Sequence, residues 1–396
     1  MRLSLTCTLS FLLFMFSAVA QNTSGTSLKK QLQQNLVAAA GQYKLLQRNV
    51  PKDRMPRNFD MKTGTLATSD TKWWCSGFFP GTLWYIYEFT KDPEIRKAAE
   101  ARLAILEKEK HFTGNHDLGF MMFCSFGTAY RITGNESYKK SVDTAAMSLA
   151  TRYRPSIKSI QSWDSSSNFR CPVIVDNMMN LELLCWVSDH GGDPRFREIA
   201  INHANSTIKH HFRPDNAAYH VLDYTLADGG KLLGNRTWQG AHDTSAWSRG
   251  NAWALYGFTM MHRMTKDVQY LEQAKKITAF ILSHKNMPKD LIPYWDFDAP
   301  GIPNAPRDAS AASIMASALI ELSGFVKGEE KATYLRAAEK ILSVLSSPEY
   351  FAAPGTNGGF LIKHSVGALP FNAEVDFALT YADYYYVEAT LRYLAL

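Results

Sequence analysis

Beyond its first twenty residues the chain has no apolar run long enough to cross a bilayer, which excludes a membrane-spanning body. Cysteine is scarce: five in 396 residues, one of them, Cys7, ahead of the apolar run described below. The other four, Cys75, Cys124, Cys171 and Cys185, show no zinc-site spacing, so no structural metal is expected. Three of them lie in apolar helical stretches that suit a small buried thiol, and a disulfide in an exported compartment stays open. No proline-, serine- or glycine-rich linker divides the chain, so one large domain over residues 21–396 is expected where length alone suggests two or three. There is also no block of like charge. The net +6 is scattered, which argues against nucleic acid as a partner and mildly favours an acidic substrate.

What is present begins with a leader. Arg2, the apolar stretch Leu9 to Phe16 and the small residues Ala18-Val19-Ala20 before Gln21 match a secretory signal, so residues 1–20 are expected to be removed. That run is too short to anchor the protein, and export, most simply to the periplasm, is the expectation. Sequons at Asn22, Asn135, Asn205 and Asn235 would matter only in a eukaryotic secretory pathway.

The dominant pattern is a short joint repeated five times: Thr90–Ile95, Thr133–Tyr138, Gly191–Phe196, Thr265–Tyr270 and Lys327–Ala332. Each closes one helix with Gly or Lys and opens the next with Asp, Asn or Glu, with Pro twice at an early helical position. The helices after the joints are amphipathic: Glu94–Lys108, Ser137–Tyr153, Pro194–His211, Gln269–Ser283 and Lys331–Ser346. Those before them are apolar nearly all round: Trp74–Phe89, Asp117–Ile132, Asn177–Asp189, Arg249–Met264 and Ala309–Val326. Adding Leu28–Gln47 and Val375–Leu396 gives six outer and six inner helices, so the fold expected is an all-α (α/α)6 toroid. An open helical solenoid is the alternative, but its inner helices would need a wet concave face. Inner-to-outer joints are short and outer-to-inner loops long, as in His210–Trp247, Lys285–Asp308 and Ser347–Glu374. All long loops therefore share one rim with the inner-helix N-termini, the usual place for a site.

Polar and aromatic residues gather there. Trp73-Trp74, Asn115-His116-Asp117, Asp176-Asn177, Trp247-Ser248-Arg249, Arg307-Asp308 and Glu374-Val375-Asp376 open the inner helices, and the loops add Trp163, His220, Trp238 and Gln239. Singly, Asp117, Asp176 and Asp308 read equally well as helix caps. Together, with Trp and Arg at one mouth, they read as a site. Converging helix N-termini favour an anion and depress carboxylate pKa values, so an acid catalyst there needs burial and a second carboxylate as a counterweight. Asp117 and Asp176 supply that pair. Arg249, amid an apolar run, needs a partner, and an anionic ligand is one candidate.

Three motifs, Asn115-His116-Asp117-Leu118-Gly119-Phe120, Val175-Asp176-Asn177-Met178-Met179-Asn180-Leu181 and Trp247-Ser248-Arg249-Gly250-Asn251-Ala252-Trp253, resemble the unsaturated glucuronyl hydrolases of glycoside hydrolase family 88. The resemblance spans essentially the whole mature chain and implies the same (α/α)6 barrel. It implies hydrolysis of unsaturated uronic-acid oligosaccharides left by polysaccharide lyases. The enol ether is protonated at C4 and hydrated at C5, rather than attacked at the anomeric carbon. It implies Asp176 as general acid and base and Asp117 as the assisting carboxylate. Trp74, His116, Trp163, His220, Gln239, Trp247, Arg249 and Trp253 match substrate-contacting positions. No metal or organic cofactor is implied. Some relatives that favour sulfated fragments carry Ser-x-Ser-x-Lys before the last inner helix, where this chain reads Lys363-His364-Ser365-Val366-Gly367-Ala368-Leu369-Pro370. Two rivals remain: an unsaturated rhamnogalacturonyl hydrolase acting on pectin fragments, which His116 and the Trp247–Gly250 segment disfavour, and a non-catalytic acidic-oligosaccharide-binding protein.

Overall fold

The structure is a computed structural model that describes residues 6–396, apart from the side chains of residues 6–26 and of Asp228; the expected leader, residues 1–20, lies partly outside them and overlaps the start of the first helix. Among the described residues no helix is long and apolar enough to cross a membrane. Six helices form an outer ring: α1 (Thr6–Asn49), α3 (Pro93–Leu106), α5 (Glu136–Ala150), α7 (Arg195–His210), α9 (Val268–Ser283) and α11 (Gly328–Leu345). The inner ring holds α2 (Phe78–Thr90), α4 (Thr128–Thr133), α6 (Leu181–Asp189), α8 (Ser248–Thr265), α10 (Ala309–Ser323) and α12 (Thr380–Leu394). The last inner helix packs against both α10 and α2, which closes the ring. The toroid expected from the repeat is therefore what the chain builds.

Burial separates the two rings as the sequence pattern requires. Every residue of α10 except Glu321 is buried, and α8 is buried without interruption from Ser248 to Met261. In α5 only the stripe of Ser141, Val142, Ala145, Ala146, Ser148 and Leu149 is covered, as a helix with one wet face demands. The joints carry the caps. Lys91, Gly134 and Lys266 end their helices in the left-handed conformation. Asp92, Asn135 and Asp267 then accept backbone N–H bonds at the next helix start. Asp193 accepts the Arg195 N–H at 2.9 Å. The fifth joint departs from the pattern: Lys327 takes the N-cap position without a side-chain bond, so neither Glu329 nor Glu330 caps α11.

Two inner helices are not plain α-helices where they meet the working rim. Gly119–Gly127 is π-helical ahead of α4, and Val175–Asn180 forms a tight 3₁₀ stretch ahead of α6. Such irregular turns mark places where the ladder is re-aimed, frequently at functional sites. The two segments touch at Gly119, where a Cβ would lie 2.6 Å from Asn180 Cα, and the Phe120 N–H donates to Asn180 Oδ1 at 3.1 Å.

Short strands in the long loops were not anticipated by an all-α reading. An antiparallel sheet of order β2-β1-β9-β8 joins β1 (Met55–Asp60), β2 (Thr65–Ser69), β8 (Ser365–Ala368) and β9 (Ala373–Leu379). A second, of order β5-β6-β7, joins β5 (Pro172–Ile174), β6 (Val221–Thr225) and β7 (Lys231–Arg236). A two-stranded β3-β4 pair spans Tyr153–Arg154 and Ser159–Ile160. The last inner helix consequently starts at Thr380 and not at Val375, because Val375 to Leu379 pair with β8 and β1 instead. Trp74 likewise precedes α2 in a turn and does not open the helix. The four cysteines are free thiols, all buried except the half-buried Cys124.

Candidate active site

The β5–β6 pairing places the first pair of chemical groups. Ile174 opposes Val221, and the Val175 N–H donates to His220 O at 3.1 Å, so Asp176 and His220 leave adjacent strand ends side by side. The Gly119–Asn180 approach brings Asp117 to the same spot from the neighbouring inner helix. Only Gly permits that approach without a shift of backbone.

Asp176 is buried and Asp117 half-buried, and desolvation raises both. Asp176 stands at about 7, raised by burial, with the charge of Arg249 pulling back downward. Asp117 stands at about 8, pushed up first by burial and then by the charge of Asp176. Desolvation and a like-charged neighbour are the two influences that keep a carboxylic acid protonated near neutrality. The flanking histidines move the other way: burial lowers His116 and His220 to about 3, so both are neutral imidazoles. For His220 the backbone fixes the tautomer. Its Nδ1 accepts the N–H groups of Trp238 and Gln239, each at 3.1 Å, so the ring proton sits on Nε2. That nitrogen lies 3.8 Å from Asp176 Oδ2, and neither atom has a hydrogen-bond partner in the protein. His116 Nε2 lies 3.4 Å from Asp117 Oδ1.

Arg249 has a protein partner, so its charge does not wait for a ligand. Its guanidinium pairs with Asp308 at 3.1 Å, donates to Val366 O, and donates to Gly367 O at 2.6 Å. It also lies over the Trp247 ring at 4.6 Å, and Trp247 in turn packs on His220 at 4.4 Å. Asp308 is thus both the α10 cap, accepting the Ser310 N–H, and the counter-ion of Arg249. Gln239 Nε2 donates to the same Gly367 O at 3.1 Å, tying the β7–α8 loop to β8. Trp253, fully buried, packs on Phe120 at 5.1 Å, and Trp74 also packs on Phe120 at 5.6 Å. Trp163 joins through a backbone bridge to Asn115, two residues before Asp117. All ten residues singled out in the sequence thus belong to one connected cluster.

Tyr381 was missed. Its ring lies 5.2 Å from the Arg249 guanidinium and 5.0 Å from Trp74, and its hydroxyl is buried without a protein partner. The signal was hidden because a helix started at Val375 gives position 381 no special place. Asn177 also belongs here, held by Nδ2 donating to Ile160 O at 2.8 Å while its Oδ1 stays unpaired.

A cavity of about 720 Å³ opens at the opposite, joint-bearing rim, among Tyr85, Glu182, Tyr256, Arg263, Glu388 and Arg392. Size does not make it the reaction centre, because its charges satisfy one another. Arg263 pairs with Glu182 and Glu321, Arg392 with Glu321, and the Tyr256 hydroxyl with Glu388. Around Asp176 the buried Nε2 of His220, Nε of Arg249, Nε1 of Trp253 and hydroxyl of Tyr381 lack protein partners. Buried polar groups are normally paired, so this concentration marks where a polar ligand docks.

Comparison with known proteins agrees with this geometry. The family model described as Glycosyl Hydrolase Family 88 matches residues 48–393. An unsaturated glucuronyl hydrolase of Formosa agariphila is 42% identical over 351 residues, covering 88% of this chain and 87% of that one. An unsaturated chondroitin disaccharide hydrolase of Streptococcus pyogenes serotype M1 is 31% identical over 340 residues, with 84% of each chain covered. Among solved structures, an unsaturated glucuronyl hydrolase specific for heparin superposes with a TM-score of 0.89 at 43% identity, covering 92% of this chain and 97% of that one.

Proposed function

The chain belongs to glycoside hydrolase family 88, and from that premise we propose that it removes the non-reducing 4,5-unsaturated glucuronic acid from lyase-generated glycosaminoglycan oligosaccharides. The observation that carries this reading is the buried Asp176, raised to about 7 and set against the Nε2–H of a neutral His220. A carboxylic acid poised near neutrality can give a proton and then take one back.

The protonated Asp176 delivers its proton to C4 of the enol ether, and the C4=C5 electron pair forms the new C–H bond. Positive charge then sits at C5, shared with the ring oxygen. Water adds at C5 and gives its proton to the Asp176 carboxylate, which restores the acid. The resulting hemiketal opens to a ketone, C1 becomes a hemiacetal, and that hemiacetal releases the adjoining sugar as an alcohol. Asp117 assists: its own proton lets the two acids lie together, and its polarity stabilises the positive charge near C5. His220, donating from Nε2, suits the uronate or ring oxygen beside Asp176. The half-buried indoles of Trp74 and Trp163 supply apolar walls of the kind sugars pack against.

The rhamnogalacturonyl alternative draws no support from these relatives. A purely binding protein would bear the cost of two largely desolvated acids without using them. The leader pattern of residues 1–20 supports export to the periplasm, where lyase products of imported polysaccharide would be met. The test is to follow the ultraviolet absorbance of the unsaturated chromophore with disaccharides from heparin, chondroitin and hyaluronan. Loss of absorbance with at least one supports the reading, and early deuterium incorporation at C4 in heavy water supports the chemistry. Binding of all three without loss of absorbance would favour the non-catalytic alternative.

A further inference from the structure

Phe371 and Trp238 form an aromatic pair that the reaction above does not use. Trp238 is 41% exposed and Phe371 49% exposed, and their rings lie 4.8 Å apart at 49°. They come from different loops, one after β7 and one after β8, yet both are held firmly. The Trp238 N–H is one of the two donors to His220 Nδ1. Phe371 ends a tight 3₁₀ turn closed by Asn372 in the left-handed conformation. The loops are stitched together where Gln239 Nε2 donates to Gly367 O. Beneath them the buried Phe169 contacts Trp238 at 5.7 Å and Trp163 at 5.5 Å, both in T-shaped geometry.

The aromatic rings therefore run outward in order of exposure. Trp253 and Trp247, beside Asp176 and His220, are buried; Trp163 is half-buried; Trp238 and Phe371 lie at the surface. A substrate whose reacting sugar is its non-reducing end must place that sugar deepest, so every sugar nearer the surface lies toward the reducing end. Two large apolar rings rigidly displayed in water beside such a mouth serve contact with a ligand better than they serve the fold.

We propose that Trp238 and Phe371 form a stacking platform for a sugar beyond the one released directly, so that the enzyme grips oligosaccharides longer than a disaccharide. This rests on the glucuronyl hydrolase reading above. The ligand class is a pyranose ring of the glycosaminoglycan chain, presenting its C–H face to the rings. A disaccharide ends before reaching them.

The test compares an unsaturated disaccharide with the tetrasaccharide of the same polymer, for the native enzyme and for Phe371→Ala, Trp238→Ala and Trp238→Phe. The platform predicts that Phe371→Ala leaves disaccharide kcat and KM unchanged and raises tetrasaccharide KM about tenfold at unchanged kcat, the scale of one lost aromatic contact. Trp238→Ala should raise tetrasaccharide KM at least as much, and Trp238→Phe should recover most of the loss because a ring remains. Equal changes on both substrates, or none on the tetrasaccharide, would overturn the platform while leaving the hydrolase reading intact. Native enzyme inactive on both lengths would instead remove the hydrolase reading on which the platform rests.

Discussion

Asp176 and Asp117 contribute to the behaviour of the protein with pH, as does the buried Asp383, also raised to about 7 by burial, and the sign follows from which way each is shifted. Asp176 and Asp117 are raised from the ordinary aspartate value, to about 7 and about 8. The folded state therefore holds protons that the unfolded chain has already lost. Their stabilising contribution is full in acid, below the unfolded aspartate range, and is lost as pH rises through the folded values near 7 and 8. Replacing either acid with Asn keeps the shape and removes the charge. Asp176→Asn and Asp117→Asn should therefore each raise the melting temperature above neutral pH, with roughly 1–3 kcal/mol gained and little change near pH 4. Calorimetry at the two pH values checks this. For activity, the reacting acid must be protonated, so kcat should fall on the alkaline side with apparent values belonging to the pair. Asp117→Asn removes a like charge next to Asp176, and should both lower kcat and move the alkaline limb to lower pH, measured as a pH–rate profile on the disaccharide. His116 and His220, lowered to about 3, should contribute no limb between pH 5 and 9.

Elements divide into those that hold the ring and those that aim the chemistry. The joint caps belong to the first kind. Asp267→Ala, which loses the bond to the Gln269 N–H, should cost about 1 kcal/mol of stability and leave kcat unchanged. Gly119→Ala should behave oppositely in proportion. Its Cβ would press on Asn180 Cα, forcing apart the segments that carry Asp117 and Asp176, so activity should drop by about a hundredfold or more for a loss of only about 1–3 kcal/mol. Denaturant unfolding and disaccharide kinetics on the two variants separate the cases. Most elements were legible in the sequence because caps and apolar periodicity are local signals: Asp92, Asn135 and Asp267 sit where their spacing put them. The short strands were not legible. Val375 to Leu379 read as the start of an apolar helix, and only pairing with β1 and β8, remote in sequence, makes them a strand. The same remoteness hid Tyr381 and the tie between Arg249 and the β8 carbonyls.

Across the whole molecule, the two rims of the toroid differ in how they treat polar groups. At the joint rim the half-buried arginines of α8 and α12 and the glutamates of α6, α10 and α12 form a closed ion-pair network, which holds the ring together but leaves little to offer a ligand. At the loop rim the buried polar atoms near Asp176 remain unpaired within the protein, and the long loops carry the aromatic rings. The repeat in the sequence foretold which rim would be which, since loop length alone sorts the ends of antiparallel helices. It could not foretell that Arg249 would be neutralised by Asp308, because that contact joins two neighbouring inner helices through residues 59 apart in sequence. Arg249 is accordingly better understood as the post to which β8 and the Trp247–His220 stack are fastened than as a free anion receptor.

The central claim is that one buried acid, Asp176, carries the proton in both directions. The most direct measurement is chromophore loss from an unsaturated disaccharide by Asp176→Asn, with binding of the same disaccharide followed by calorimetry. The account predicts that turnover falls by about four orders of magnitude or more while the dissociation constant changes by less than about tenfold. Turnover by Asp176→Asn within about tenfold of the native enzyme, at equal binding, would contradict it.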